Sequence, residues 1–222
     1  MRYRIYVSMI LVLSFLIGCG NDNNTNPVDN NIESVTIGSQ VWMKKNLDVD
    51  HYRNGDPIPE VQDSAQWANL TTGTWCYYNN SDSLGQIYGK LYNWYAVNDP
   101  RGLAPNGWHV PSIIETNTLF DYLGGQYKNA GKLKEAGNTH WKSPNLDATN
   151  QSFFSALPGG CCHYYEWGTR RFSGIGFNGF WWNSTEIMNT HAYLWNINYN
   201  SADVSGKGVT KKGGFSVRCL RN

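Results

Sequence analysis

The sequence predicts a loop-rich α+β domain, with two helices placed early and an antiparallel sheet completed late. Three observations predict it. The composition is rich in aromatic residues, Gly and Asn and includes ten Trp, which favours short strands and turns over long helices. One segment, 112–125, carries both a helix start and a helix stop signal. From Phe153 onward, short runs of aromatic and β-branched residues alternate with Gly- and Asn-rich breaks, the pattern of strands and loops.

Each element follows from its residues. Val35-Thr36-Ile37 and Gln40-Val41-Trp42 read as two short strands around a Gly38-Ser39 turn. Asn54 to Pro59 is turn material. Asp63 caps one helical turn reaching Ala68, and Thr74 to Tyr78 is a strand containing Cys76. Tyr88, Leu91, Tyr92 and Tyr95 recur at the spacing of an amphipathic helix, which Asn98-Asp99-Pro100 ends. In the second helix Ser112 and Glu115 form a capping box. Its inward face is Ile114, Leu119, Tyr122 and Leu123, and Gly124-Gly125 stops it. Lys132 to Glu135 is a further short turn. The later strands are Phe153 to Leu157, Gly179 to Ser184, Ala192 to Ile197 and Gly214 to Leu220, with no internal repeat.

The chain begins with a targeting segment. Arg2 and Arg4 precede the uncharged, mostly apolar run Ile5 to Ile17, which reads as the core of a signal peptide and is too short for a stop-transfer helix. Leu16-Ile17-Gly18-Cys19 resembles the bacterial lipobox. The resemblance implies removal of residues 1–18, diacylglycerol on the Cys19 thiol and a further acyl chain, such as palmitate, on the new N-terminus. Several acyl chains give durable membrane anchoring where one gives only marginal binding. Residues 19–34 are dominated by Asn and Asp and read as a disordered tether, with the domain occupying 35–222. Gly20 stands where an Asp would imply inner-membrane retention, so the expected location is the cell envelope, anchored in the outer membrane of a Gram-negative bacterium. The formal net charge of +1 falls to −1 once Arg2 and Arg4 are removed. With no basic run, a nucleic-acid partner is not expected.

Four cysteines remain after Cys19: Cys76, Cys161, Cys162 and Cys219. In an exported protein they can oxidise, and four allow three pairings. Cys76 with Cys219, an early strand tied to the last, is the favoured disulfide; free, buried Cys161 or Cys162 is the alternative.

Six blocks occur in one order: Val41 to Leu47, Tyr88 to Val97, Gly107 to Pro111, Phe154 to Gly160, Trp181 to Glu186 and Gly214 to Cys219. Together they resemble the Fibrobacter succinogenes major paralogous domain, found in exported and lipid-anchored bacterial proteins, over Val35 to Arg221. Trp108-His109-Val110-Pro111 leading into a capped helix, with a closing Phe215-Ser216-Val217-Arg218-Cys219 strand, is also similar to the formylglycine-generating-enzyme branch of the C-type lectin-like superfamily. That similarity implies two helices packed on twisted antiparallel sheets with adjacent terminal strands, an adjacency that suits a Cys76–Cys219 bond. It does not by itself give a function.

The motifs that carry chemistry are weak. The oxidase of that branch needs reactive cysteines late in the domain, and the Pro158-Gly159-Gly160-Cys161-Cys162-His163 turn departs from its pattern. Three adjacent residues cannot all turn to one metal ion, so neither a metal nor a cofactor is expected. Gly174 to Gly179 spells G-x-G-x-x-G but leads into a strand-like Phe180-Trp181-Trp182 rather than a helix. The five histidines show no metal spacing, and no paired carboxylates or Ser-His-Asp motif can be read. No catalytic residue is therefore assigned, and the chain is not expected to be an enzyme. The candidate ligand-binding residues are Trp167, Arg170, Arg171, Trp182, Asn183 and Glu186, since aromatic faces stack on sugars and Asn or Glu can hold hydroxyls or Ca²⁺. Trp182-Asn183-Ser184 lacks the companion Glu-Pro-Asn of calcium-dependent lectins. The competing explanation is that the Trp and Tyr side chains fill an irregular core. The expected function is non-catalytic binding of an extracellular protein or polysaccharide. An enzyme of envelope or polysaccharide processing, or a structural envelope protein, is the alternative.

Overall fold

Backbone pairing starts almost as soon as the chain enters the described part of the computed structural model, residues 31–164 and 170–222. β1 (Ser34–Ile37) folds back onto β2 (Gln40–Met43) because Gly38 adopts φ +62. Ile32 already packs against the core, so order begins ahead of Val35. Asp63 accepts a bond from Gln66 N at 2.7 Å and caps α1 (Ser64–Asn69). β3 (Trp75–Cys76), α2 (Asp82–Tyr88), β4 (Leu91–Tyr92), α3 (Trp94–Val97) and β5 (Trp108–His109) follow. α4 (Ile113–Tyr122) opens on the expected capping box: Ser112 Oγ accepts from Glu115 N at 3.3 Å, and Ser112 N donates to Glu115 Oε2 at 2.7 Å. Gly124 and Gly125, at φ +105 and +100, end it. The remaining strands are β6 (Gly159–Tyr164), β7 (Arg170–Ile175), β8 (Asn178–Met188), β9 (His191–Asn198), β10 (Val204–Thr210) and β11 (Leu220–Arg221).

Two larger sheets result, ordered β1-β2-β11-β5 and β10-β9-β8-β6-β7, with β3 and β4 as a separate pair. Among the described residues the named strands pair antiparallel except at Gly160 and Gly179, between β6 and β8, and isolated parallel bridges join Glu60 to Trp75, Lys134 to Ala156 and Trp181 to Ser216. Mixed helices and predominantly antiparallel sheets make the architecture α+β, as the sequence predicts.

Several elements differ from expectation. The helix expected through Tyr88, Leu91, Tyr92 and Tyr95 is broken. Gly89 sits at φ 75 and ψ −172, which no helix contains. Leu91 and Tyr92 then pair with Cys76 and Trp75, and Tyr92 N donates to Phe215 O at 2.9 Å. On α4, Leu119 and Leu123 face inward together with Thr116 and Phe120, whereas Ile114 and Tyr122 are exposed at 75% and 65%. Phe153 to Leu157 is a loop, with Phe153 and Ser155 at φ +57 and +54. Gly214 to Leu220 makes single bridges to Cys162, Tyr92 and Trp181 before becoming strand only at β11. Cys161 and Cys162 lie in β6 rather than in a turn.

All four described cysteines are buried, and the expected Cys76–Cys219 disulfide is not made. Cys76 belongs to one apolar cluster with Cys162, Trp67 and Leu91, while Cys161 and Cys219 belong to a different one. β8 divides the two larger cores. Alternation sends Trp182 into one, edge-on to Phe215 at 4.8 Å, and Trp181 into the other, stacked on Trp195 at 4.4 Å.

Two cations are buried without a carboxylate bonded to them. Arg218 donates to Asn46 Oδ1 at 2.8 Å and to the carbonyls of Lys44 and Phe154, each at 2.7 Å. Burial lowers its pKa, yet a guanidinium keeps its proton. Lys134 Nζ donates to the carbonyls of Leu146, Asn198 and Ser201 at 2.6, 3.2 and 3.1 Å. These bonds satisfy groups that would otherwise be costly to bury.

Candidate functional site

Among the residues expected to hold a ligand, the described Arg171, Trp182, Asn183 and Glu186 are not brought together in one exposed site. Trp167 lies outside the described residues, as does Cys19. Arg170 opens β7, and Arg171 is exposed opposite His163. Trp182 is fully buried and its indole donates to Tyr92 O at 2.8 Å. Asn183 is buried too: its side-chain oxygen accepts from Thr116 Oγ1 at 3.2 Å and its carbonyl from Trp94 Nε1 at 3.0 Å. Glu186 is taken up by the Lys211 ammonium at 2.5 Å, and that ammonium lies 4.5 Å from the Trp94 ring centre. Trp182 and Asn183 therefore belong to the core. β8 carries the reason: its register shifts between Trp182 and Glu186, and the bulge turns Ser184 and Thr185 toward the start of α4. There Ser184 N bonds Pro111 O at 2.9 Å and Ile113 N bonds Thr185 Oγ1 at 3.0 Å.

Other groups do converge. A cleft of about 500 Å³ is lined by His163 from β6, Thr190 and His191 from the β8–β9 turn, Lys207 and Thr210 from β10, and Phe215. The pairing puts these segments side by side, since Thr210 lies opposite His191 and Lys207 opposite Leu194. His163 stands edge-on to Phe180 and Phe215, with centroids 6.1 and 5.9 Å away. Phe215 is buried and forms an apolar floor, and the walls mix polar side chains with Val209 and Gly213. Burial, and then the positive charge of Lys207, hold the His163 imidazole below its ordinary pKa. No carboxylate is among the described lining residues. Such a lining can donate hydrogen bonds and receive negative charge. Thr190 Oγ1 and His191 Nδ1 lie 2.8 Å apart, but they are chain neighbours and no acid in the lining orients the ring.

Two further histidines meet carboxylates elsewhere. His109 Nε2 lies 2.8 Å from Glu115, whose other oxygen completes the α4 cap. His140 Nδ1 lies 2.9 Å from Glu135. Burial pushes the Cys161 and Cys219 thiols up to about 12, so both stay protonated and unreactive. Among the described residues no group of three or more His, Cys, Asp or Glu is arranged to hold a metal, and no helix is long and apolar enough to cross a membrane.

A family model described as the Fibrobacter succinogenes major domain matches residues 35–221. The chain belongs to that family. No curated protein and no solved structure matches it. In this Fibrobacter succinogenes major domain the six sequence blocks mostly build the interior: Trp42, Leu91, Tyr92, Trp94, Trp108, Phe154, Trp181, Trp182 and Arg218 are all buried. Seven of the eight described cleft residues fall between the blocks, and Phe215 lies within one. The blocks that reveal the family are therefore its packing signature. His163 and His191 were visible in the sequence, but nothing in their spacing places them beside Lys207.

Proposed function

We propose that this protein is a non-catalytic envelope lipoprotein whose lectin-like domain binds an extracellular polysaccharide or protein. Its ligand contacts the cleft formed by β6, β10, the β8–β9 turn and Phe215. Anchoring through lipid on Cys19 in the outer membrane presents the domain to such partners. The lectin-like assignment draws support from the placement of β11 beside β2, which brings the two ends of the domain together, and from the capped helix that follows β5.

The observation that carries the reading is the cleft itself. Its volume of about 500 Å³ suits a small ligand or the end of a larger one. Its polar side chains come from three separate segments and meet over an apolar floor. The protonated state of the buried thiols supports a binding role over a redox one. The full chain, extracted in detergent, is to be applied to a glycan array and used as bait against envelope and substrate extracts. Saturable capture that weakens in His191→Ala is expected. Silence in both assays would overturn the proposal.

A further inference from the structure

We infer that the cleft takes a sugar ring carrying a negative charge, a uronate or a sulfated residue of an acidic polysaccharide. The inference rests on the binding reading above and narrows its ligand. Lys207 lines the cleft as a cation beside the imidazoles of His163 and His191, and none of the described lining residues is an acid. Arg171, the cross-strand partner of His163, brings a further cation to that end of β6. The acid on the neighbouring stretch of β8, Glu186, is already neutralised by Lys211. The positive charge of Lys207 and Arg171 is local, because the mature chain as a whole is close to neutral. A local field of one sign in a walled cleft raises the concentration and affinity of the opposite charge.

The remaining lining points to a sugar. Thr210 supplies a hydroxyl and the hydrogen-bonded Thr190–His191 pair a further polar group, both suited to ring hydroxyls. The donors are side chains converging on one spot, as a small polar ring requires. An extended acidic peptide would instead draw on a row of backbone groups, which the outer edge of β10 could supply.

The test is calorimetric titration of the detergent-solubilised full chain with four probes: an oligogalacturonide, a sulfated galactose oligosaccharide, a neutral galactose oligosaccharide and a short polyglutamate. Lys207→Met and Lys207→Arg are measured beside the wild type; Lys207 is exposed, so both variants should fold. Expected is binding of one or both acidic sugars at least about tenfold tighter than the neutral one, lost in Lys207→Met, largely kept in Lys207→Arg, and weakened by salt. The two acidic sugars separate carboxylate from sulfate as the preferred charge. Equal binding of the neutral sugar, or indifference to Lys207→Met, overturns the inference while leaving the binding reading intact. Polyglutamate binding tighter than any sugar overturns it in favour of a protein partner. Failure of all four probes overturns it as well, and the binding reading falls too only if array and pull-down are also silent.

Discussion

Replacing Lys134 with Met tests whether the buried ammonium is a structural cation held at an electrostatic cost. Its three carbonyl partners come from the loop at Leu146 and from the β9–β10 connection, so one group ties two loops to the core. Burial lowers its pKa from 10.5 to about 8, with the Asp147 charge opposing the shift. The folded pKa thus lies below the unfolded one. Between them the unfolded chain binds more protons, so this group makes stability rise with pH across that window. A shift from 10.5 to about 8 corresponds to roughly 3 kcal/mol over the whole window. Lys134→Met removes the titration and leaves three carbonyls without their donor, at about 1–3 kcal/mol near neutral pH. The Cys161 and Cys219 thiols act in the opposite sense: with raised pKa values, they contribute stability that is present below the ordinary thiol pKa and lost as pH climbs toward about 12. That contribution is common to both proteins and cancels in their difference. Urea denaturation followed by tryptophan fluorescence, from about pH 7 to about pH 10, reads the difference directly. Wild type should gain roughly 2–3 kcal/mol over the variant across that range. A gap that stays constant would refute the reasoning.

Cys19→Ala should move the protein from the detergent phase to the aqueous phase in phase separation, and retention in the detergent phase would sink the lipid anchor. Glu115→Ala should cost about 1 kcal/mol by opening the α4 capping box. Because the Ser112 and His109 hydrogen bonds hold the Glu115 pKa below its ordinary value against burial, its contribution is present above the unfolded pKa and fades as pH falls through the folded one. Acid titration of wild type and variant should therefore converge at low pH. Trp182→Ala should cost about 3–5 kcal/mol in urea melts. A near-neutral effect there would contradict its place in the core.

The parts of the fold legible in the sequence were those fixed by neighbours in the chain. Ser112 with Glu115, Asp63 before its helical turn, and Gly38 between two strands each act within a few residues, and each holds. The stripe from Tyr88 to Tyr95 misled because burial, not helix, produced it. Tyr88, Leu91 and Tyr92 are all buried, but Gly89 breaks the helix so that β4 can bond both β3 and Phe215, partners far away in the chain. Trp182 and Asn183 looked like site residues because sugar-binding chemistry and core packing use the same side chains. The cleft was not legible for a related reason: His163, His191, Lys207 and Phe215 meet through the pairing of separate strands, which local spacing does not encode.

The position of β8 between two cores sets how the domain comes apart. Peeling this strand away would expose Trp181 to water on one side and Trp182 on the other, so neither core can melt while its neighbour stays whole. Hydrogen exchange should therefore be slowest along the Phe180–Trp182 amides and should proceed there only through global opening. A fragment ending before Asn178 lacks the wall on which both cores rest, so neither part of the chain is a folding unit by itself.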